Sequence, residues 1–143
     1  MNNNSDNSIA GILRVILALQ QNASCCDESC LDSCDRPMLG NSPKCLGCNT
    51  RPVMLYTCCG NGQPWSMPIT KDDTSACTGA SDTCSTVFRV EKVECDAATF
   101  RVLAPNPDTT SLCPYVATNS FFTMDLDCLC VIRCLSDTFV ECV

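Results

Sequence analysis

Cysteine is the residue type in this sequence whose number and spacing could do chemistry. Thiols stand in adjacent pairs at Cys25-Cys26 and Cys58-Cys59, three apart at Cys45 and Cys48, and on alternate positions at Cys128 and Cys130. Sixteen occur in 143 residues, above the ~8–10% at which a short chain reads as a disulfide scaffold. Neighbouring Cα atoms lie about 3.8 Å apart, below the usual disulfide range of about 4.4–6.8 Å, so each member of an adjacent pair must look elsewhere for its partner. Such pairs act as branch points. The total is even, and one sequence does not give the connectivity.

Three other chemistries compete with disulfides. Cys45-Leu46-Gly47-Cys48 has the spacing of a zinc knuckle that Cys58 or Cys59 could help complete, yet a structural site wants a second knuckle of the same kind, and none is present. A redox dithiol would sit at a helix N-terminus in a βαβ setting, whereas this one falls among Pro and Gly. Asp125 and Asp127 share a strand face and could act as an acid–base pair, but solvated strand carboxylates account for them better. With no histidine in the chain, Cys–His and Ser–His–Asp nucleophilic sites are excluded.

The elements that would carry these thiols follow from the rest of the sequence. Nine Lys and Arg stand against sixteen Asp and Glu, a net charge of −7 with no basic run, which argues against nucleic acid or anionic membranes as partners. The apolar stretch near the start is too short to span a bilayer. It also lacks a secretory signal: Asp6 is the only charge before Ile9, and Arg14 interrupts the run. Residues 1–21 read instead as an amphipathic helix or arm capped by Ser5, Asp6 or Ser8. Ile9, Ile12, Ile16 and Leu19 form its stripe, widened by Leu13 and Leu17. That face could dock on the chain's own core or on a neighbouring subunit. Residues 22–49 are a Cys-rich connector of acids and turn formers, in which Cys26, Cys30 and Cys34 would make a stripe if the helix continued.

From residue 50 onward the pattern is β, and 50–143 is expected to form one domain. Val53 and Leu55 alternate with Met54 and Tyr56, and Gly60-Asn61-Gly62 is a hairpin signal; Pro64 and Pro68 restrict the return run, about 63–69, to an edge. Phe88-Arg89-Val90 and Phe100-Arg101-Val102 repeat one tripeptide on two arms about a turn at Glu94–Ala97, with the phenylalanines and valines facing inward and the arginines outward. Residues 105–108 form a loop, and Pro114–Val116 starts a further strand. In 120–135, Met124, Leu126, Cys128, Cys130, Ile132 and Cys134 share one face, so Cys128, Cys130 and Cys134 are expected to face the core. That run is too long for one strand and should split near Asp127. The expected class is mainly β, an antiparallel sandwich or jelly-roll-like domain behind an N-terminal α-helix and a Cys-rich connector.

Three blocks carry a resemblance. "NTRPVMLYTCCGNGQPW", "FRVEKVE…TFRVLAP" and "FFTMDLDCLCVIRCLSD" resemble, in order and spacing over roughly 49–138, the spore coat protein Y/Z family, which includes exosporium basal-layer proteins of Bacillus-type spores. The chain begins MNNNSDNS where such proteins often carry Cys and His. The resemblance implies a structural, non-enzymatic protein without cofactors. It also implies a homo-oligomer assembling into a hexagonal two-dimensional lattice in the spore coat or exosporium, beside other coat proteins. Such proteins are made in the mother-cell cytoplasm without a signal peptide and are oxidised during or after assembly. On that reading Cys25, Cys26, Cys30, Cys34, Cys45, Cys48, Cys58, Cys59 and Cys142, on connectors, turns and the terminus, are the cross-linking candidates. A thiolate zinc protein is the alternative.

Overall fold

The computed structural model describes residues 8–21 and 48–143. It is mainly β and antiparallel behind one N-terminal helix, as the alternation predicts. Helix α1 spans Ser8–Gln21 and strand β1 Val53–Thr57. A two-residue ribbon follows, β2 (Met67–Pro68) with β3 (Cys84–Ser85). The remaining strands are β4 (Val87–Val93), β5 (Ala97–Pro105), β6 (Tyr115–Asp125) and β7 (Leu129–Cys134). The five longer strands form one sheet in the order β6-β5-β4-β1-β7.

That order forces the sheet to curl. β6 and β7 are its two edges, yet only the 3-10 turn Leu126–Cys128 separates them in sequence. Four residue steps, from Asp125 to Leu129, span at most about 14 Å, whereas the edges of a flat five-stranded sheet lie about 19 Å apart. Register shifts supply the coiling: β7 carries an extra residue, Cys130, opposite Tyr56/Thr57, β4 carries Glu91 between Val90 and Lys92, and β6 carries extra residues 118–120 opposite Arg101/Leu103. Each such bulge bends its strand and adds local twist.

The concave face holds the core. Val53, Leu55, Phe88, Val90, Phe100 and Val102 are fully buried, and each contributes roughly 1.5–3 kcal/mol by leaving water. Phe88 meets Phe122 edge-on with ring centroids 4.8 Å apart, and Phe122 stacks on Phe100 at 5.3 Å. Register pairs Phe88 with Val102 and Val90 with Phe100, so the repeated tripeptides lie side by side as their shared pattern predicts.

Helix α1 closes the core from one side and docks on its own sheet. Ala10, Leu13, Ile16 and Gln20 are buried, with Ile9, Ile12 and Leu17 packed at the margins. The stripe is thus rotated from the one centred on Ile9, Ile12, Ile16 and Leu19. Gln20 is the reason: its Nε2 donates to the Val90 carbonyl at 2.9 Å, and its Oε1 accepts from the Arg51 N–H at 3.0 Å. Both ends of a polar side chain are satisfied inside an otherwise apolar contact. Among the described residues no helix is long and apolar enough to cross a membrane.

Three further expectations change in detail. The Asn-Gly turn forms, with Asn61 at φ 54° and Gly62 at φ 80°, but the chain after it touches β1 only at the Tyr56–Pro64 bridge before Met67 and Pro68 turn to β3. Proline donates nothing to a ladder, and β1 is already paired with β4 and β7. Residues 115–125 make one continuous strand rather than two starts. Arg89 and Arg101 do point away from the core, but not into water. Arg89 is 7% exposed and donates to Thr50 Oγ1, the Asn49 carbonyl and Glu91; Glu91 also accepts from Arg101 Nε at 2.9 Å. The two guanidinium groups lie directly opposite across the β4–β5 ladder, and the carboxylate between them offsets their repulsion.

Candidate functional site

Cys58, Cys59, Cys128 and Cys130 gather where β1 ends and β7 begins. Cys58 follows β1 and donates its backbone N–H to the Cys128 carbonyl at 3.0 Å, which sets the end of one segment beside the turn that starts the other. Across this junction Cys58 and Cys130 form a disulfide, with Cα atoms 5.4 Å apart. Cys59 and Cys128 flank it as exposed free thiols. A second disulfide, Cys77–Cys84, closes the loop before β3. Cys134 is disulfide-bonded as well.

The expectation that Cys128, Cys130 and Cys134 share the core face is corrected for the first two. Cys128 and Cys130 are exposed, whereas Cys134 packs against the core. Two offsets explain the difference. The 3-10 turn shifts the alternation by one residue, so Leu129 rather than Cys128 or Cys130 enters the core at 6% exposure. A bulge then shifts it back: Thr57 pairs with Leu129 and Tyr56 with Val131, leaving Cys130 as the extra residue with no partner opposite. Beyond it Ile132 and Cys134 return to the inner side. Asp125 and Asp127 are both exposed, and Asp125 Oδ1 accepts the Asp127 N–H at 3.0 Å, capping the turn.

The other thiols are scattered. Cys48 is buried. Cys142 is exposed near the C-terminus, in a left-handed conformation at φ 64°. Cys95 is exposed at the tip of the β4–β5 hairpin, where the Glu94 N–H donates to the Ala97 carbonyl. Sequence reasoning did not single out Cys95, although its place in the predicted turn was the available signal. It also missed the Cys77–Cys84 pair, whose signal was two thiols bracketing a short polar loop. Cys25, Cys26, Cys30, Cys34 and Cys45 lie outside the described residues. Cys58, one of two thiols offered to a Cys45–Cys48 zinc site, is committed to its disulfide. No group of three or more His, Cys, Asp or Glu is placed to hold a metal ion among the described residues.

Beside the Cys58–Cys130 bridge lies a depression of about 590 Å³ between the end of β1, β2 and the last residues of β6. Trp65, Met67, Phe122 and Met124 give it an apolar lining, and Cys59, Cys128, Asp125 and Asp127 stand at it too.

The family model for spore coat protein Z matches residues 1–137. The chain belongs to that family. Membership joins the thiol-rich surface to a spore coat context: a cysteine-rich coat-family chain whose cysteines are already at bonding distance in pairs. No curated protein and no solved structure gives a significant match.

Proposed function

We propose that this chain is a structural, non-enzymatic building block of the spore coat or exosporium, which self-assembles into a hexagonal two-dimensional net locked by disulfides between subunits. The observation that carries this reading is the exposure of free thiols on several different segments: Cys59 after β1, Cys95 at a hairpin tip, Cys128 before β7 and Cys142 near the C-terminus. A net needs more than one joint per brick. Cys25, Cys26, Cys30, Cys34 and Cys45 of the connector are the further joints in this proposal, whereas Cys48, expected among them, is buried and Cys58 is used within the chain in the structure described.

Exposed apolar side chains on both edges of the sheet, Phe121 on β6 and Val131 on β7, support lateral contact between copies. Covalent joints then matter more for permanence than for folding, since dissociation requires breaking a bond and dilution cannot achieve it. The partners are further copies in hexamer-based rings and other coat proteins, and synthesis takes place in the mother-cell cytoplasm.

Electron microscopy of the purified chain, with and without reductant, tests the proposal. Sheets or rings that resist dilution under oxidising buffer and loosen in reductant are expected. A freely soluble single particle under oxidising buffer overturns it. Non-reducing gels of a Cys25→Ser/Cys26→Ser variant address the joints, and an unchanged ladder of oligomers removes those two from the set.

A further inference from the structure

We infer that Cys58, Cys59, Cys128 and Cys130 form a thiol–disulfide exchange centre whose substrate is a thiol carried by another polypeptide chain. The inference rests on the cross-linked coat reading for its biological setting, but its chemistry stands on the geometry alone.

Access is the first argument. Both cysteines of the Cys58–Cys130 bridge are exposed, and Cys130 is the bulged residue that the β1 ladder leaves out. In the Cys77–Cys84 bridge, by contrast, Cys84 is 6% exposed and Cys77 is half-buried. Attack on a disulfide needs an open path to one of its sulfurs, so the two bridges should differ in rate.

Neighbouring thiols are the second argument. Each half of the exposed bridge has a reduced cysteine beside it: Cys59 is next in sequence to Cys58, and Cys128 precedes Cys130 by two residues while its carbonyl accepts the Cys58 N–H. Cys58 and Cys59 are too close along the chain to bond to each other readily, so Cys59 remains available to another sulfur. The apolar depression lined by Trp65, Met67, Phe122 and Met124 gives an incoming segment a place to rest next to these sulfurs.

The step balances without an oxidant. An incoming thiol loses its proton to water, and the thiolate attacks one sulfur of Cys58–Cys130. One S–S bond forms, joining the two chains, and one S–S bond breaks; the released cysteine leaves as a thiolate and takes a proton from water. Cys128, as thiolate, can then attack a mixed disulfide at Cys58, or Cys59 one at Cys130, expel the foreign thiol as a thiolate that takes a proton from water, and restore a bridge within the chain. Joints between subunits are therefore made from a bond the chain already holds, and misplaced ones can be undone while the net grows.

The test uses the oxidised full-length chain in deoxygenated buffer with chelator, and 2-mercaptoethanol as the probe thiol. Alkylation and peptide mapping follow the adducts with time. Adducts at Cys58 or Cys130 are expected at least tenfold sooner than any at Cys77 or Cys84, and in a Cys59→Ser/Cys128→Ser variant they should persist severalfold longer. Equal rates at the two bridges in the wild-type chain overturn the inference, and so do adduct lifetimes unaltered by the double substitution. Because the probe is a small thiol, failure here with sheets still visible by microscopy sinks the exchange centre and leaves the coat reading standing. Normal exchange without sheets does the reverse.

Discussion

Arg51 and Asp137, 86 residues apart in sequence, hold each other through a two-pronged ion pair. Arg51 Nε reaches Asp137 Oδ1 at 2.8 Å and Nη2 reaches Oδ2 at 3.1 Å, with side-chain exposures of 2% and 7%. The pair pins the segment after β7 against the entry to β1, where Thr50 and Thr138 also exchange backbone hydrogen bonds. Arg51→Ala would leave a carboxylate buried without its partner, at an expected cost of ~3–5 kcal/mol. Replacing both, Arg51→Met with Asp137→Leu, should cost less than the sum of the single changes. Urea unfolding of the three variants measures this, and a single-variant loss under ~1 kcal/mol would show that the pair is solvated in solution.

Gln20 ties the helix to the sheet at two points. Gln20→Ala removes the acceptor of the Arg51 N–H and the donor to the Val90 carbonyl, and each buried group left unsatisfied costs ~1–3 kcal/mol. The expected outcome is faster amide exchange across α1 before global unfolding. Unchanged exchange there would mean that apolar burial alone holds the helix.

Two glycines should respond to alanine with opposite signs. Gly62 sits at φ +80° in the Asn-Gly turn with open space around it, so Gly62→Ala is resisted by backbone conformation alone and should destabilise by about 1 kcal/mol. Gly11 lies on the exposed side of α1, also with open space, so Gly11→Ala should stabilise by ~0.5–1 kcal/mol. Thermal or urea unfolding reads both.

Burial raises the Tyr115 phenol above its ordinary value of 10.0. Below that value both folded and unfolded chains keep the proton, and the contribution to stability is complete. As pH climbs past it, the unfolded chain releases the proton first, so stability falls until the folded phenol also ionises. Tyr115→Phe should remove this share of the alkaline loss, seen as a smaller drop in unfolding free energy between about pH 9 and about pH 11. An identical drop in both chains would place the phenol in water.

Much of the architecture is legible in the residue pattern. The alternation in Val87–Val93 and Ala97–Pro105 gave a hairpin with its inward faces correctly assigned, because residues two apart on a strand must share a face. The apolar stripe gave α1, and the excess of thiols without histidine pointed to cross-links rather than catalysis. The burial of Arg89 was not legible, since strand alternation says which side a residue faces and not what covers that side.

Sequence by itself thus determined the kinds of element and the kind of chemistry, both of which follow from short-range periodicity and from residue type. Tertiary structure alone decided which thiols meet, which lie open, and which distant charge Arg51 finds. The physical reason is that a strand's facing has a period of two: one 3-10 turn at Leu126–Cys128 and one extra residue at Cys130 reverse it twice, turning two expected core thiols outward and bringing Cys130 to Cys58.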